Sequence, residues 1–413
     1  MTDTTSPDEA ATEPSYETVE FFPLDPAVHD DFWQTNTSVR ERCPVGWNNT
    51  IWSMTEPPGE WIVNDYEHAM AAATQWETFS SADGVSAVQI PLDLVRLIPV
   101  ELDPPKHREI RKHLNPFFTP AALAANDAEI ASIVADLMEQ CLAVAGPVDF
   151  VAEFTAKLPP VVFLSRGFLD QHADQGDMLL SLVSITLTNP ELTLEAVPKL
   201  LAWCGDLLEA RRAEGRNDDL AGVIAHMGFG EDGLVMSERE RIETLNLAVM
   251  AGMETTMGGL GAMAWQLAIR PDLRQELREA DERGLDRAIE EFIRFSTPVP
   301  TQGRTLTRDV EFGGCPMKTG ERVLLNFSAA NLDPEQFPNP LEIDIHRPNV
   351  ASHLAFGAGI HRCLGAHLAR REMKASLKAI CALDGFDLVA GHEMKWRAAF
   401  ARGPVAIPVL MRR

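Results

Sequence analysis

Along most of the chain apolar residues recur every three or four positions, the spacing of one buried helix face, and only short stretches break that rhythm. EWIVND (60–65), VEFGG (310–314), ERVLLNF (321–327) and VAIPVLM (405–411) are dense in β-branched and aliphatic residues and read as short strands. The pattern predicts a mainly α fold with small β-sheets. Its longest helix is predicted to open at Ser237, where Glu240 completes a capping box, and to stop before Pro271. At about 1.5 Å per residue, about 32 residues span roughly 48 Å. LNLAVMAGM (245–253) and MGGLGAMAWQLAI (257–269) are apolar around most of the circumference, so this helix belongs in the interior.

No internal repeat and no Gly/Ser-rich or charged linker divides residues 18–413, which are expected to form one domain. Residues 1–17 are polar and acidic, without the apolar stretch of a signal peptide, and are expected to be a flexible tail. Acidic residues number 61 against 36 basic ones, a net charge of −25, which disfavours nucleic acid as a partner. No apolar run reaches the roughly 18 residues of a membrane-spanning helix. A soluble, cytoplasmic monomer is expected. The six cysteines contain no CxxC pair, which argues against a disulfide framework and a zinc site. Cys43, Cys141, Cys204, Cys315 and Cys381 read as small core residues, whereas Cys363 stands in special surroundings.

Those surroundings are FGAGIHRCLGAHLAR (356–370), where Gly357 and Gly359 remove side chains at a place where a flat ligand could lie against the backbone. Leu364, Leu368, Met373, Leu377 and Ile380 recur at helical spacing, so Cys363 is expected to start a helix. The free N–H groups there would favour its thiolate, a metal ligand. The second unusual stretch, AGMETT (251–256), sets an acid and two hydroxyls at the midpoint of the longest helix. It admits two readings: a satisfied buried glutamate beside a glycine kink, or a site where something approaches the backbone.

The pattern F-x-x-G-x-H-x-C-x-G, filled by Phe356, Gly359, His361, Cys363 and Gly365, resembles that of the haem-thiolate monooxygenases (cytochrome P450). The likeness is to the soluble bacterial members of the camphor-hydroxylating type, and it runs from about residue 100 to 408. It implies haem b between the long helix and the cysteine loop, with Cys363 as the iron ligand and Phe356, Gly357, Gly365, Ala251 and Gly252 against the ring. It also implies that Ala251-Gly252 leaves room for oxygen and that Glu254 and Thr255 form an acid–alcohol pair delivering protons. By the same resemblance His107, Arg111, Arg304 and His353 reach the haem propionates, with His361 also toward that edge. Glu291 and Arg294 of EEFIR, with Arg347 of IHRP, look like the family's buried Glu-Arg-Arg network.

The resemblance implies a monooxygenase that inserts one atom of O2 into a C–H bond of a small apolar substrate, favoured as terpenoid or norisoprenoid-like. Its electrons would come from NAD(P)H through a reductase and an acidic [2Fe-2S] ferredoxin. Arg108, Lys112, Arg362, Arg370 and Arg371 are the candidate docking patch for that ferredoxin, against a reading as ordinary solvated charge. The pocket is expected to draw on Val95, Leu247, Met250, Val299, Gln302, Phe400 and Ala401. A steroid or fatty-acid hydroxylase, a peroxide-driven peroxygenase and a non-enzymatic haem sensor stay open as alternatives. A peroxygenase would need a different distal helix, so Glu254-Thr255 argues against it, and a haem sensor has no need for a proton relay.

Overall fold

Ser237 accepts the backbone N–H of Glu240 while the Glu240 carboxylate takes the N–H of Ser237, and this capping box opens a helix over Glu238–Ile269. In the computed structural model, which describes residues 16–413 other than 51–58, 88–91, 166, 172, 189 and 230–234, this 32-residue helix is the central element. It ends where Arg270 leaves helical geometry ahead of Pro271, because a residue preceding proline is driven out of the α region. Helices Leu158–Leu164, Pro190–Glu214, Glu282–Ser296 and Ala366–Cys381 pack around it. Leu245, Val249, Leu260, Met263 and Leu267 enter the main hydrophobic cluster, each such side chain contributing about 1.5–3 kcal/mol on full burial. The glycine run explains one close approach, since a Cβ at Gly258 would lie 2.3 Å from the Arg402 carbonyl oxygen.

All four predicted strands form, as Glu60–Val63, Val310–Phe312, Arg322–Asn326 and Pro408–Arg412. The largest sheet has the order Thr18–Val19, Val45–Asn48, Glu60–Val63, Arg322–Asn326, Thr301–Leu306, Phe79–Ser80. Trp47, Trp61, Phe79, Val323 and Leu325 build a second apolar cluster around it. Thr301–Leu306 pairs antiparallel with Arg322–Asn326 and sets Arg304 opposite Val323. Residues 16 and 17, expected to belong to a flexible tail, are anchored to the largest sheet. The ring of Tyr16 packs edge-on at 4.7 Å from Trp61, and the carbonyl of Glu17 accepts the Trp47 N–H at 3.0 Å. One aromatic anchor outweighs the polar composition around it; residues 1–15 lie outside the described residues.

The Glu-Arg-Arg network forms in the interior. Arg294 forks onto both oxygens of Glu291 at 2.7 and 2.8 Å, and Arg347 Nε donates to Oε2 at 3.1 Å. The side chains of Glu291 and Arg294 are 0% exposed and that of Arg347 is 3%. The remaining N–H groups go to the carbonyls of Asn331, Pro340 and Pro338, which binds helix Glu282–Ser296 to the segment preceding the cysteine loop. Glu291→Gln leaves two buried guanidinium groups without a counter-charge, an expected loss of about 3–5 kcal/mol. Chemical denaturation checks this: the midpoint should fall well below that of the unaltered protein, and an unchanged midpoint would remove the network's structural role.

Candidate active site

Cys363 lies in a loop, and the helix after it begins at Ala366 with Gly365 as its N-cap. The expected helix start at Cys363 is therefore three residues early, and Leu364 falls outside the helix, while Leu368, Met373, Leu377 and Ile380 do form its buried face. The Cys363 N–H donates to the Phe356 carbonyl at 2.8 Å and closes the loop on itself. Cys363 is exposed, the other five cysteines are buried, and yet burial pushes the Cys363 thiol up. The sulfur thus faces a space walled by protein. The Gly365 N–H, then Arg111, Arg370 and Arg362, oppose that rise. Gly357 has φ +65° and a Cβ there would meet only the His361 carbonyl oxygen, at 4.0 Å, but a Cβ at Gly359 would lie 2.6 Å from the Ala73 carbonyl oxygen. Gly359 therefore serves packing against helix Tyr66–Thr74 instead of a flat ligand.

Beside this loop, basic side chains converge, and the Asp103 carboxylate comes no nearer than 4.0 Å to His361 Nε2. His107 and Arg111 sit one turn apart on helix Lys106–Leu114, and the His107 ring meets the His361 ring edge-on at 4.6 Å. His107 Nε2 and both ring nitrogens of His361 are buried without a hydrogen-bond partner. Burial pulls His107 down to about 4 and His361 down to about 2, so both rings are neutral at pH 7. Arg304 is 3% exposed, donates to the carbonyl of Gly303, and forms no ion pair among the described residues. Burial and then the Arg322 charge pull it to about 10. Arg111 reaches the Arg362 carbonyl at 3.0 Å. Each unsatisfied buried donor costs about 1–3 kcal/mol; an anionic group on this cluster removes that cost.

His353 does not join them. Its Nε2 faces Glu290 at 3.1 Å and its Nδ1 accepts the Ala355 N–H at 3.2 Å, which uses both ring nitrogens and leaves none for a propionate.

The central helix shows an open stripe. Ala251 is exposed and Leu247, Ala248, Gly252 and Thr255 are half-buried, whereas Met253, Glu254 and 256–264 are buried. The Thr255 hydroxyl donates to the Ala251 carbonyl at 2.7 Å. Gly252 answers a packing need, since a Cβ there would meet the Phe163 ring at 3.3 Å, so the room in the stripe comes from Ala251. Glu254 is turned about 100° round the helix from Thr255 and is 0% exposed. Its Oε1 accepts from the Ser184 hydroxyl at 3.1 Å and from Arg397 at 3.4 Å, and Oε2 has no partner. Burial raises Glu254 to about 7, against the opposing pull of Arg397.

Of the expected pocket residues, Leu247, Val299, Gln302 and Phe400 are accessible, and Val95, Met250 and Ala401 are not. Val95 is closed down because the next residue, Arg96, donates its N–H to Glu243 of the central helix at 3.1 Å. Met250 instead takes the Asn246 amide on its sulfur at 3.3 Å. Sequence reasoning missed Ala248, which helical spacing from Leu247, Ala251 and Thr255 would have revealed. It also missed Arg397 and Glu290, for which no local pattern exists.

A sequence model of the family described as Cytochrome P450 matches residues 207–395. The steroid C26-monooxygenase of Mycobacterium tuberculosis is 33% identical over 317 residues, 75% of this chain and 82% of that protein. The chain belongs to the cytochrome P450 family. Cytochrome P450 130 of the same organism is 29% identical over 388 residues, 91% of this chain and 94% of the relative. The crystal structure of CYP108D1 from Novosphingobium aromaticivorans superposes with a TM-score of 0.81 at 28% identity, covering 94% of this chain and 97% of that one. This P450 is therefore a monooxygenase whose cofactor is haem b. The cluster of partnerless donors and the accessible sulfur suit an iron porphyrin, with its soft-ligand metal and two carboxylates. Among the described residues no helix is long and apolar enough to cross a membrane.

On the outer side of the P450's cysteine loop, Arg108, Lys112 and Arg362 are exposed. A depression of about 910 Å³ is lined by His107, Arg108, Arg111, Lys112, Asn115 and Ile360 among others. Arg370 and Arg371 are withdrawn from the expected patch, because Arg370 pairs with Glu290 and Arg371 with Asp127.

Proposed function

We propose that this P450 hydroxylates a small apolar molecule, terpenoid or norisoprenoid-like, with electrons from NAD(P)H through a reductase and an acidic [2Fe-2S] ferredoxin. The observation carrying this reading is an exposed Cys363 beside the buried, partnerless ring nitrogens of His107 and His361, in a chain whose central helix leaves Leu247, Ala248, Ala251 and Thr255 open. Haem iron with a thiolate ligand supplies the oxygen chemistry, since the anionic sulfur favours O–O cleavage. Cys363 is the iron ligand, and the Gly365 N–H tunes its charge. His107, Arg111, Arg304 and His361 hold the propionates, while Phe356, Gly357, Gly365 and Ala251 border the ring. With its proton committed to the Ala251 carbonyl, the Thr255 oxygen keeps its lone pairs for a proton-bearing group in the pocket. Glu254, raised to about 7 by burial, both holds and releases a proton near neutral pH, and its partnerless Oε2 is free to pass that proton toward Thr255.

Leu247, Ala248, Val299 and Phe400 supply apolar lining, and Gln302 supplies the polar handle. The relative named for steroid C26 oxidation supports a steroid as the second substrate reading. Product formation with NADH, a reductase and a ferredoxin tests the reaction. Equal rates with hydrogen peroxide alone would overturn the electron-delivery scheme. Spectral shifts on adding terpenoids, steroids and fatty acids rank the substrates, and a preference for steroids would displace the terpenoid reading.

Arg108 and Lys112 steer the acidic ferredoxin despite the net charge of −25. Reversing either to Glu is expected to raise the KM for ferredoxin severalfold and flatten its salt dependence, with substrate binding unchanged. Equal loss of substrate binding would assign these residues to the fold.

A further inference from the structure

Two consecutive acids on helix Glu282–Ser296 serve different networks. Glu291 enters the Glu-Arg-Arg core, whereas Glu290 faces the cysteine loop and is held by groups from two later segments. Arg370 donates Nε and NH2 to its two oxygens, the latter at 2.8 Å, and His353 Nε2 stands 3.1 Å from Oε2. Because His353 Nδ1 accepts the Ala355 N–H, the ring proton sits on Nε2, and a neutral ring donates to Glu290. Burial alone would raise Glu290, but the fork from Arg370 and the bond from His353 hold it near 2. It is charged at every working pH.

The Arg370 guanidinium fixed in this way lies over the Phe356 ring, 4.4 Å from its centroid. Phe356 is the residue whose carbonyl accepts the Cys363 N–H at 2.8 Å. Arg370 is also among the charges acting on the Cys363 sulfur. The chain of contacts therefore runs from Glu290 through Arg370 and Phe356 to the cysteine. Glu290 both orients the guanidinium and cancels its charge.

We propose that Glu290 is a positioning residue that sets the electron-donating strength of the Cys363 sulfur by neutralising and aiming Arg370 over Phe356. This inference rests on Cys363 being the iron ligand. An unneutralised Arg370 draws charge from the sulfur and stabilises the reduced metal, whereas an unneutralised Glu290 does the reverse. Two single variants should therefore move the ferric/ferrous equilibrium in opposite directions, which a loss of packing alone does not produce.

The test is the haem midpoint potential of the loaded protein, read beside the Soret band of its reduced carbonyl complex. Glu290→Gln should favour the ferrous form at least threefold and Arg370→Gln should disfavour it at least threefold. The double variant should return close to the unaltered protein. Glu290→Asp and Arg370→Lys keep both charges and should leave the potential in place; they carry the test if either Gln variant fails to load haem. Potentials that move in one direction, stay still, or move equally in the charge-keeping variants would overturn the proposal. A protein without the thiolate-type carbonyl band before any substitution would instead overturn the ligand reading. An intact band with unmoved potentials defeats this inference alone.

Discussion

Cys363→Ser is expected to abolish the red-shifted Soret band that a thiolate-ligated haem shows when reduced under carbon monoxide, and to take product formation below detection. Serine keeps the size of the side chain and the Phe356 hydrogen bond made by the Cys363 backbone N–H, so the loop should still close. What is lost is an anionic sulfur donor, and a hydroxyl with its much higher pKa does not replace it. The sulfur's exposure to an interior space, with the Gly365 N–H directed at it, separates it from the buried Cys43, Cys141, Cys204, Cys315 and Cys381. Serine at any of those five should leave the band unchanged. Persistence of the band in Cys363→Ser, or its loss in one of the five, would move the iron ligand elsewhere.

Thr255→Ala is expected to redirect reducing equivalents from product into hydrogen peroxide. The change removes a hydroxyl that, among the described residues, bonds only within its own helix turn, so the stripe with Leu247 and Ala251 should keep its shape and bind substrate. NADH consumption should stay comparable while O2 leaves as hydrogen peroxide and little hydroxylated product forms. Glu254→Gln should instead slow NADH consumption itself, by about 10²-fold, because an amide releases no proton. Glu254 is an acid raised to about 7 by burial, so it is protonated below that pH and loses its proton above it. NADH consumption in the unaltered protein should therefore fall as pH rises through about 7, and that limb should vanish in Glu254→Gln. Measuring NADH, peroxide and product together separates the two roles. A Thr255→Ala protein that stays fully coupled would remove its hydroxyl from the reaction.

The different fates of neighbouring residues show how the tertiary structure divides labour that a motif presents as one unit. In AGMETT, Ala251 and Thr255 face the open space, Gly252 admits Phe163, and Glu254 turns to Ser184 and Arg397. Around the cysteine, Gly359 makes way for Ala73 while Gly365 directs its N–H at the sulfur. His353 pairs with Glu290, whereas both ring nitrogens of His361 are left without a partner.

What the sequence determined by itself is local in origin. The helix from Ser237 to Pro271 rests on a capping box and a proline, four short strands rest on runs of β-branched and aliphatic residues, and Cys363, Thr255 and Glu291 stand in patterns whose spacing reflects one helix turn or one loop. The tertiary structure alone decided which side chains finish the site, because their partners arrive from distant segments: Glu290 meets His353 63 residues on and Arg370 80 on, and Glu254 meets Arg397 143 on. It also decided which residues of one face stay open. Burial depends on what packs opposite, as Glu243 holding Arg96 closes Val95 away from a space that Ala251 leaves open.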